Sequence, residues 1–390
     1  MHESSEKSDA QIELEKHFQV QLRPRGRWLS CAGLVAWVVG CAPQPLSDGE
    51  RRVALQGTTE RVILPTHADL RERTAELSSQ LDALASDPAA TDLTALRQAY
   101  LDVRAPLEEA QSFAFGPAVA LDSFSELDQA PVDAAKVDAE LVSERELSPT
   151  RLQALGANKR GLHAIEYLLF PADDSALEAA LLADDVGGAR RRQFVSSAGQ
   201  LVAEAAVALD DAWQPKNGDY ARRFSQPGAA DSVDATVQAG LDTLLSQTVV
   251  LSELVANVKL GKPLGTASGG DVNPAAQESG RAQASLTDML SNLRGMRNVY
   301  LGARDDSAVT SLSSLVRAKI PSADVHALAA FADAEAALRA IPEPFDQALL
   351  DSPQRVQKAY DAVKALKRVL ATEVLGTLGA SLKFSDNDGD

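Results

Sequence analysis

The stretch LRERTAELSSQLDAL, residues 70–84, carries Leu70, Leu77, Leu81 and Leu84 at intervals of seven, four and three residues. This spacing brings the four leucines to one face of an α-helix, because a helix returns to the same face every three to four residues. The positions between them are mostly charged or polar. The stretch therefore predicts an amphipathic helix that buries its leucine face.

The same spacing recurs along the chain, and Pro or Gly residues interrupt it between segments. We expect further helices over 91–103 (with Thr91 as N-cap), 190–213, 233–260, 286–301, 309–320, 323–341 and 356–378. No strand-like alternation or β-hairpin turn signal occurs. The sequence thus predicts an all-α fold with two helical-bundle domains packed side by side, residues 52–225 and 226–390.

Composition narrows the class of protein. The chain has 390 residues, 45% of them hydrophobic and only 5% aromatic, and its net charge is −17. The apolar content is too high for a disordered protein, and two cysteines are too few for a disulfide scaffold. The first 41 residues hold five acidic and five basic residues, so the whole negative charge lies after them. Such an acidic chain is not a general nucleic-acid binder.

The N-terminus predicts export. Arg23, Arg25 and Arg27 precede the apolar run WLSCAGLVAWVVG, Trp28–Gly40. This run of 13 residues is shorter than the ~20 residues that a membrane-spanning helix needs. A basic segment followed by a short apolar one is typical of a signal peptide.

The end of the apolar run, Val38–Cys41, resembles a bacterial lipobox. We expect residues 1–41 to form a lipoprotein signal peptide, a lipid to anchor Cys41 in the membrane, and 42–51 to form a tether. Ala42 after the cysteine favours the outer membrane, facing the periplasm. The alternative is an ordinary secretory signal with a coincidental cysteine.

The segment GLHAIEYLLF, residues 161–170, carries a second pattern. His163 and Glu166 are three residues apart, so both side chains leave one face of a helix. An imidazole and a carboxylate placed in this way bind either a metal ion or each other. The only other histidines after residue 41 are His67 and His326.

This segment resembles the signature of the imelysin family, which includes insulin-cleaving membrane protease-like proteins and iron-regulated lipoproteins. Five further segments resemble that family in order, and together the resemblance covers roughly residues 52–390. These segments are ILPTHADL (Ile63–Leu70), RAPLEEAQSFAFGP (Arg104–Pro117), KLGKPLG (Lys259–Gly265), ESGRAQASLTDM (Glu278–Met289) and the ending LKFSDNDGD.

The resemblance implies two helical bundles with the His-x-x-Glu helix near their junction, a cell-envelope location and a link to metal uptake. It implies a bound divalent or ferric ion, with iron favoured and zinc possible, and the ligands of this ion would be His163, Glu166 and Glu108. It also implies a metal-uptake transporter or receptor as the partner. Other positions that align with family motifs are Gly161, Arg104, Gly116 and Pro117. The chain departs from the family at Leu107, usually Trp, and at Gln111, usually Glu, which removes one charged ligand.

Two other functions stay open. The family is also catalogued as metallopeptidases, but Tyr167 stands where an inverted His-x-x-Glu-His zinc motif needs a second histidine. A peptidase site would then need His67 or His326 from elsewhere in the chain. The third possibility is a module that binds a polysaccharide or another envelope ligand.

Overall fold

The computed structural model of the protein describes residues 46–170, 174–266, 268–305 and 307–383, and these contain no β-strand. The predicted all-α class is confirmed. The helices up to residue 225 are α1 (Asp48–Thr58), α2 (Leu64–Ser86), α3 (Leu93–Ala110), α4 (Pro117–Ala120), α5 (Ser123–Asp128), α6 (Ala134–Leu141), α7 (Pro149–Gln153), α8 (Gly161–Leu169), α9 (Asp174–Leu182), α10 (Val186–Trp213) and α11 (Tyr220–Ser225).

Those that follow are α12 (Val237–Leu254), α13 (Gly261–Leu264), α14 (Ser285–Leu301), α15 (Leu312–Lys319), α16 (Pro321–Arg339), α17 (Phe345–Asp351), α18 (Pro353–Val369) and α19 (Leu375–Leu378). Three π-helical turns, Thr59–Ile63, Val255–Leu260 and Leu370–Val374, each join two of these helices without a break. Short 3-10 turns cover Gln111–Phe113, Ala157–Lys159 and Pro274–Ala276.

The N-cap of α3 differs from the prediction. Thr91 does not cap the helix, because its hydroxyl donates back to the carbonyl of Asp87 at 3.0 Å. Asp92 caps it instead, accepting hydrogen bonds from the backbone N–H groups of Thr94 and Ala95. A carboxylate in this position satisfies two of the N–H groups that a helix start leaves without partners.

The long helices pack along their apolar faces. Leu70, Leu77, Leu81 and Leu84 are all buried, which confirms the face predicted for α2. Helix α2 lies against α10 and α3, α3 lies against α14, and α16 lies against α18. Burial of these faces stabilises the fold far more than helix propensity does.

The close approach of α3 and α14 positions the polar site. A Cβ atom on Gly295 would lie 2.5 Å from the carbonyl oxygen of Glu109, so only glycine allows this contact. Asn292 and Asp288 precede Gly295 by about one and two turns of α14 and face the same helix, α3. Glycine here therefore allows polar side chains of α14 to reach those of α3.

Residues 43–390 cluster as one compact unit. The predicted boundary between residues 225 and 226 stays a prediction. The predicted signal peptide, Cys41 and the first residues of the tether lie outside the described residues, as does most of the terminal LKFSDNDGD segment. Among the described helices, none combines the length and apolar character that crossing a bilayer requires.

Candidate metal centre

Arg104 is the hub of a buried ionic network. Its guanidinium donates to Asp128 Oδ1 at 2.5 Å, to Glu108 Oε1 at 2.7 Å and to both oxygens of Asp288 at 3.2 and 2.7 Å. Only 1% of its side chain is exposed. Burial opposes the charge, but Asp128 and Asp288 raise the pKa of Arg104 well above its usual value. Arg104, a motif residue in the sequence, therefore organises the carboxylates around it.

Glu108 lies one turn beyond Arg104 on α3, and its carboxylate is already occupied. Its Oε2 accepts hydrogen bonds from Lys259 Nζ at 2.6 Å and from Asn292 Nδ2 at 2.8 Å, while its Oε1 accepts from Arg104. Both oxygens of this carboxylate thus have cationic or amide partners, and Glu108 is not part of the donor group described below. The structure thus places this predicted ligand inside the ionic network, and we assign it a supporting position there.

Gly161 brings α8 against the end of α5. It has a φ of +75°, and a Cβ atom on it would lie 2.9 Å from the carbonyl oxygen of Leu127. A side chain would be strained by the backbone conformation and would also clash. The glycine of the motif therefore lets His163, two residues later, reach Asp128 at the end of α5.

His163 is hydrogen-bonded through one ring nitrogen and makes no hydrogen bond through the other. Its Nδ1 lies 2.8 Å from Glu166 Oε2, and the other oxygen of Glu166 accepts the backbone N–H of Ala282 at 2.9 Å. The opposite nitrogen, Nε2, lies 3.3 Å from Asp128 Oδ1 without forming a hydrogen bond. Nε2 and Asp128 Oδ2 are both buried and have no hydrogen-bond partner. Two unpartnered polar atoms at one place indicate a site for a ligand.

Glu278 completes a set of three donors. One ligand atom each of Asp128, His163 and Glu278 lies within 4.8 Å of the others, and within the described ranges this is the one such group of histidine, cysteine and acidic residues. Glu278 follows the turn Pro274–Ala276 and also pairs with Lys259 at 3.1 Å. The next residue, Ser279, donates to Asp288 at 2.6 Å, which ties this loop to the network.

Burial and neighbouring charges shift the pKa values of the three donor side chains. Burial lowers the pKa of His163, but the Asp128 carboxylate and the hydrogen bond to Glu166 outweigh it and raise the pKa to about 9. Burial raises the pKa of Asp128, whereas Lys259 and Arg104 hold that of Glu278 below its usual value against the effect of burial. Carboxyl groups outnumber the cations of this network, of which protonated His163 is one, so the site favours positive charge. A metal ion bound at His163 Nε2 would release the proton held there.

The remaining sequence-predicted residues are not part of the donor group. Gln111 begins the 3-10 turn after α3, and Gly116 and Pro117 lead into α4. His67 lies between Phe113 and Trp213, with ring centroids 5.2 and 5.4 Å away. His326 lies on the surface of α16 with its Nδ1 2.7 Å from Glu373.

The sequence matches the model of a known family. A sequence model described as Imelysin (Peptidase_M75) matches residues 63–372. The chain belongs to the imelysin family. This imelysin is 29% identical to iron-regulated protein A of Synechococcus elongatus over 371 residues, 93% of this chain and 96% of the relative.

Two solved structures share the imelysin fold. One is described as an iron-regulated protein A precursor from Parabacteroides distasonis, with a TM-score of 0.76, 20% identity, and coverage of 86% of this chain and 96% of that one. The other is an imelysin-like protein from Psychrobacter arcticum, with a TM-score of 0.69, 20% identity, and coverage of 87% and 99%. At this identity the likeness establishes the fold.

The donor set of this imelysin fits a transition metal. One imidazole nitrogen and two carboxylates suit Fe, Mn or Zn better than Ca, which takes more oxygen ligands. When bound, such an ion supplies Lewis acidity and open coordination positions. Glu166 holds the ring of His163 in place through Nδ1, as carboxylates commonly do for metal-binding histidines. Neither His67 nor His326 joins the described donor group, so the second imidazole of a zinc peptidase is not present in it.

Proposed function

We propose that this imelysin is a cell-envelope protein that binds a transition metal ion, iron favoured, through His163, Asp128 and Glu278. The observation that carries this proposal is the pair of buried, unpartnered atoms, His163 Nε2 and Asp128 Oδ2. A metal ion between these side chains and Glu278 satisfies both atoms at once. Leaving a buried polar group unsatisfied costs about 1–3 kcal/mol, so filling the site is favourable.

The proposed ligand set revises the one that the sequence suggests. His163 is kept, and Glu166 becomes the carboxylate that orients it. Glu108 becomes a counter-ion of Lys259 and Arg104. Asp128 and Glu278 take the two ligand positions that these glutamates leave.

Iron is the favoured ion because the relative from Synechococcus elongatus is named iron-regulated protein A. The nitrogen and oxygen donors are compatible with that choice and also with zinc. We propose that the protein serves metal uptake as an accessory to a transporter or receptor. Its attachment would be a lipid on Cys41, at the outer membrane facing the periplasm, as the lipobox sequence suggests.

Isothermal titration tests the metal site. Residues 43–390, which form one compact unit, are titrated with Fe(II) under argon, with Zn(II) and with Mn(II). The wild type is expected to bind one ion, and His163→Ala to lose that binding. His326→Ala is the matched control, because it removes an exposed imidazole that also has a carboxylate neighbour. Absence of binding, or equal binding by His163→Ala, would contradict the proposal.

The anchor is tested separately. Mass spectrometry of the mature protein from a membrane fraction is expected to find a diacylglyceryl group on an N-terminal Cys41. The Cys41→Ala protein is expected to lack the lipid and to leave the membrane fraction. An unmodified mature N-terminus at another residue would refute the anchor and leave the metal site unaffected.

A further inference from the structure

A cavity of about 560 Å³ opens onto the candidate metal centre. Asp128 and Glu278, two of the three donors, line it together with Lys259. Cavities of roughly 300–1,000 Å³ hold small organic ligands. A single ion with its water ligands does not need this volume, so the cavity has room for a larger partner of the ion.

The walls of the cavity beside the donors are apolar. Phe124 lies one turn before Asp128 on α5 and lines the same cavity. The cavity is also lined by Val250, Leu254 and Val258, which follow one another at intervals of four residues along α12 and the π-helical turn after it. Helix α5 thus carries both the apolar Phe124 and the donor Asp128. The π-helical turn likewise carries both Val258 and Lys259.

Part of this apolar surface is open to solvent. Val250 is 47% exposed and Val258 is 39% exposed, whereas most valines of the described helices are buried. Burying such surface against an apolar group is favourable by about 25 cal/mol per Å². Exposed apolar side chains gathered in a concave site therefore favour a ligand with an apolar body.

The charges of the lining are balanced until an ion binds, because Asp128 and Glu278 line the cavity with two lysines and Lys259 is already paired with Glu278 at 3.1 Å. Lys262 is the second lysine, and glutamine side chains add uncharged amides. A bound metal ion turns this end of the cavity positive and so favours an anionic head group. Three protein donors also leave coordination positions open on an ion that takes four to six ligands.

We propose that the cavity binds an organic chelator with an anionic oxygen-donor head and an apolar body. The head coordinates the ion held by His163, Asp128 and Glu278, and the body lies between Phe124 and Val258. This inference rests on the proposed metal site and names the class of ligand that the site takes. The oxygens of the chelator replace water ligands of the ion, and a head that is protonated in solution, such as a hydroxamic acid, also releases its O–H proton to the solvent.

Two hydroxamates with the same head test the inference. Benzohydroxamate carries an aromatic ring, and acetohydroxamate carries only a methyl group. Both are titrated into the Zn(II)-loaded protein, and the affinities are corrected for the stability of each Zn(II) complex in solution. Benzohydroxamate is expected to bind at least about tenfold more tightly, because its ring buries more apolar surface. Equal corrected affinities would overturn the inference.

Matched valine variants locate the ring. Val258→Asn is expected to reduce the advantage of benzohydroxamate about threefold or more and to leave Zn(II) binding unchanged, since it adds no charge. Val325→Asn, on the surface of α16 away from this cavity, is the control and is expected to keep the full advantage. An equal loss in both variants, or none in Val258→Asn, would place the ring elsewhere and refute the inference. Binding of Zn(II), Fe(II) and Mn(II) without hydroxamate is measured first, and absence of binding for all three ions would refute the proposed function itself.

Discussion

His163 Nε2 lies 3.3 Å from Asp128 Oδ1 inside the protein, and this nitrogen makes no hydrogen bond. The imidazole is fixed from behind, because Glu166 holds its Nδ1. A buried imidazole nitrogen next to a carboxylate that itself has an unpartnered oxygen is arranged to receive a cation.

Asp128→Asn is expected to weaken metal binding by about tenfold or more. The amide keeps an oxygen that can accept from Arg104, but it removes the charge that attracts a cation. Titration with Zn(II) measures the change. Asp211→Asn, at a part-exposed carboxylate that pairs with Arg71, is the control and should bind like the wild type. Unchanged affinity in Asp128→Asn would remove this residue from the ligand set.

Glu166→Gln is expected to lower metal affinity by about 10- to 100-fold, the usual effect of removing a carboxylate that orients a metal-binding histidine. The amide still fits beside His163 Nδ1 and Ala282 but holds the ring less firmly. The same titration measures it, with circular dichroism to confirm the fold. A complete loss of binding, equal to that of His163→Ala, would instead indicate that Glu166 is itself a ligand.

Arg104→Met is expected to destabilise the protein by about 3–5 kcal/mol, because it leaves the buried carboxylates of Asp128, Glu108 and Asp288 without their shared cation. Urea unfolding measures the loss. Arg339→Met is the matched control: its partner Glu335 lies one turn away on the surface, and such pairs contribute about 1 kcal/mol or less. Similar losses in the two variants would contradict a structural role for the network.

His67 is expected to make the fold sensitive to acid. Burial lowers its pKa from 6.5 to about 4 in the folded protein. Between these values the unfolded chain binds a proton that the folded chain does not, so stability falls as the pH drops from about 6.5 towards 4. The contribution reaches about 2–3 kcal/mol near pH 4.5.

Urea unfolding of the wild type and His67→Leu at pH 7 and pH 4.5 checks this expectation. The free energy of unfolding of the wild type, minus that of His67→Leu, should be about 2–3 kcal/mol lower at pH 4.5 than at pH 7. His326→Leu, at an exposed histidine, should lose stability in acid as the wild type does. A constant difference between wild type and His67→Leu would show that folding does not lower the pKa of His67.

Peptidase activity is expected to be absent. The donor group contains one imidazole, whereas zinc peptidases of the motif types considered use two. The wild type is incubated with insulin B chain and Zn(II), and a His163→Ala sample is treated in the same way. The amount of cleaved peptide should be no greater with the wild type than with His163→Ala. Cleavage that depends on both His163 and Glu166 would restore the metallopeptidase alternative.

The helices were readable from the sequence because their apolar spacing is regular and Pro or Gly separates them. The predicted segments over 190–213 and 286–301 correspond closely to Val186–Trp213 and Ser285–Leu301. The π-helical turns were not predictable, since inserting one residue into a helix leaves no clear mark on the spacing. The sequence did not predict Asp92 as the N-cap because Thr91 and Asp92 are both favourable N-cap residues. The backbone conformation at the start of the helix decides which of the two is the cap.

Only the part of the site formed by residues close together in the sequence was predictable. His163 and Glu166 lie on one helix, and their contact follows from the spacing. Asp128 carries no sequence signal of its own. Lys259 and Glu278 lie in segments that resemble the imelysin family. The sequence alone does not predict which residues of these segments contact each other. Glu108 was expected as a ligand because the pattern cannot show that Lys259 and Asn292 already occupy its carboxylate.

The hydrogen bonds from Arg104 to Asp288 join residues 184 positions apart. Closing so long a loop is slow and costs chain entropy, so this network forms only after both halves of the chain have come together. During synthesis, Arg104, Asp128 and His163 all emerge before Glu278 and Asp288 exist. A truncated or half-folded chain therefore has no complete donor set, so under the proposed function a metal ion would bind only to a finished and folded polypeptide.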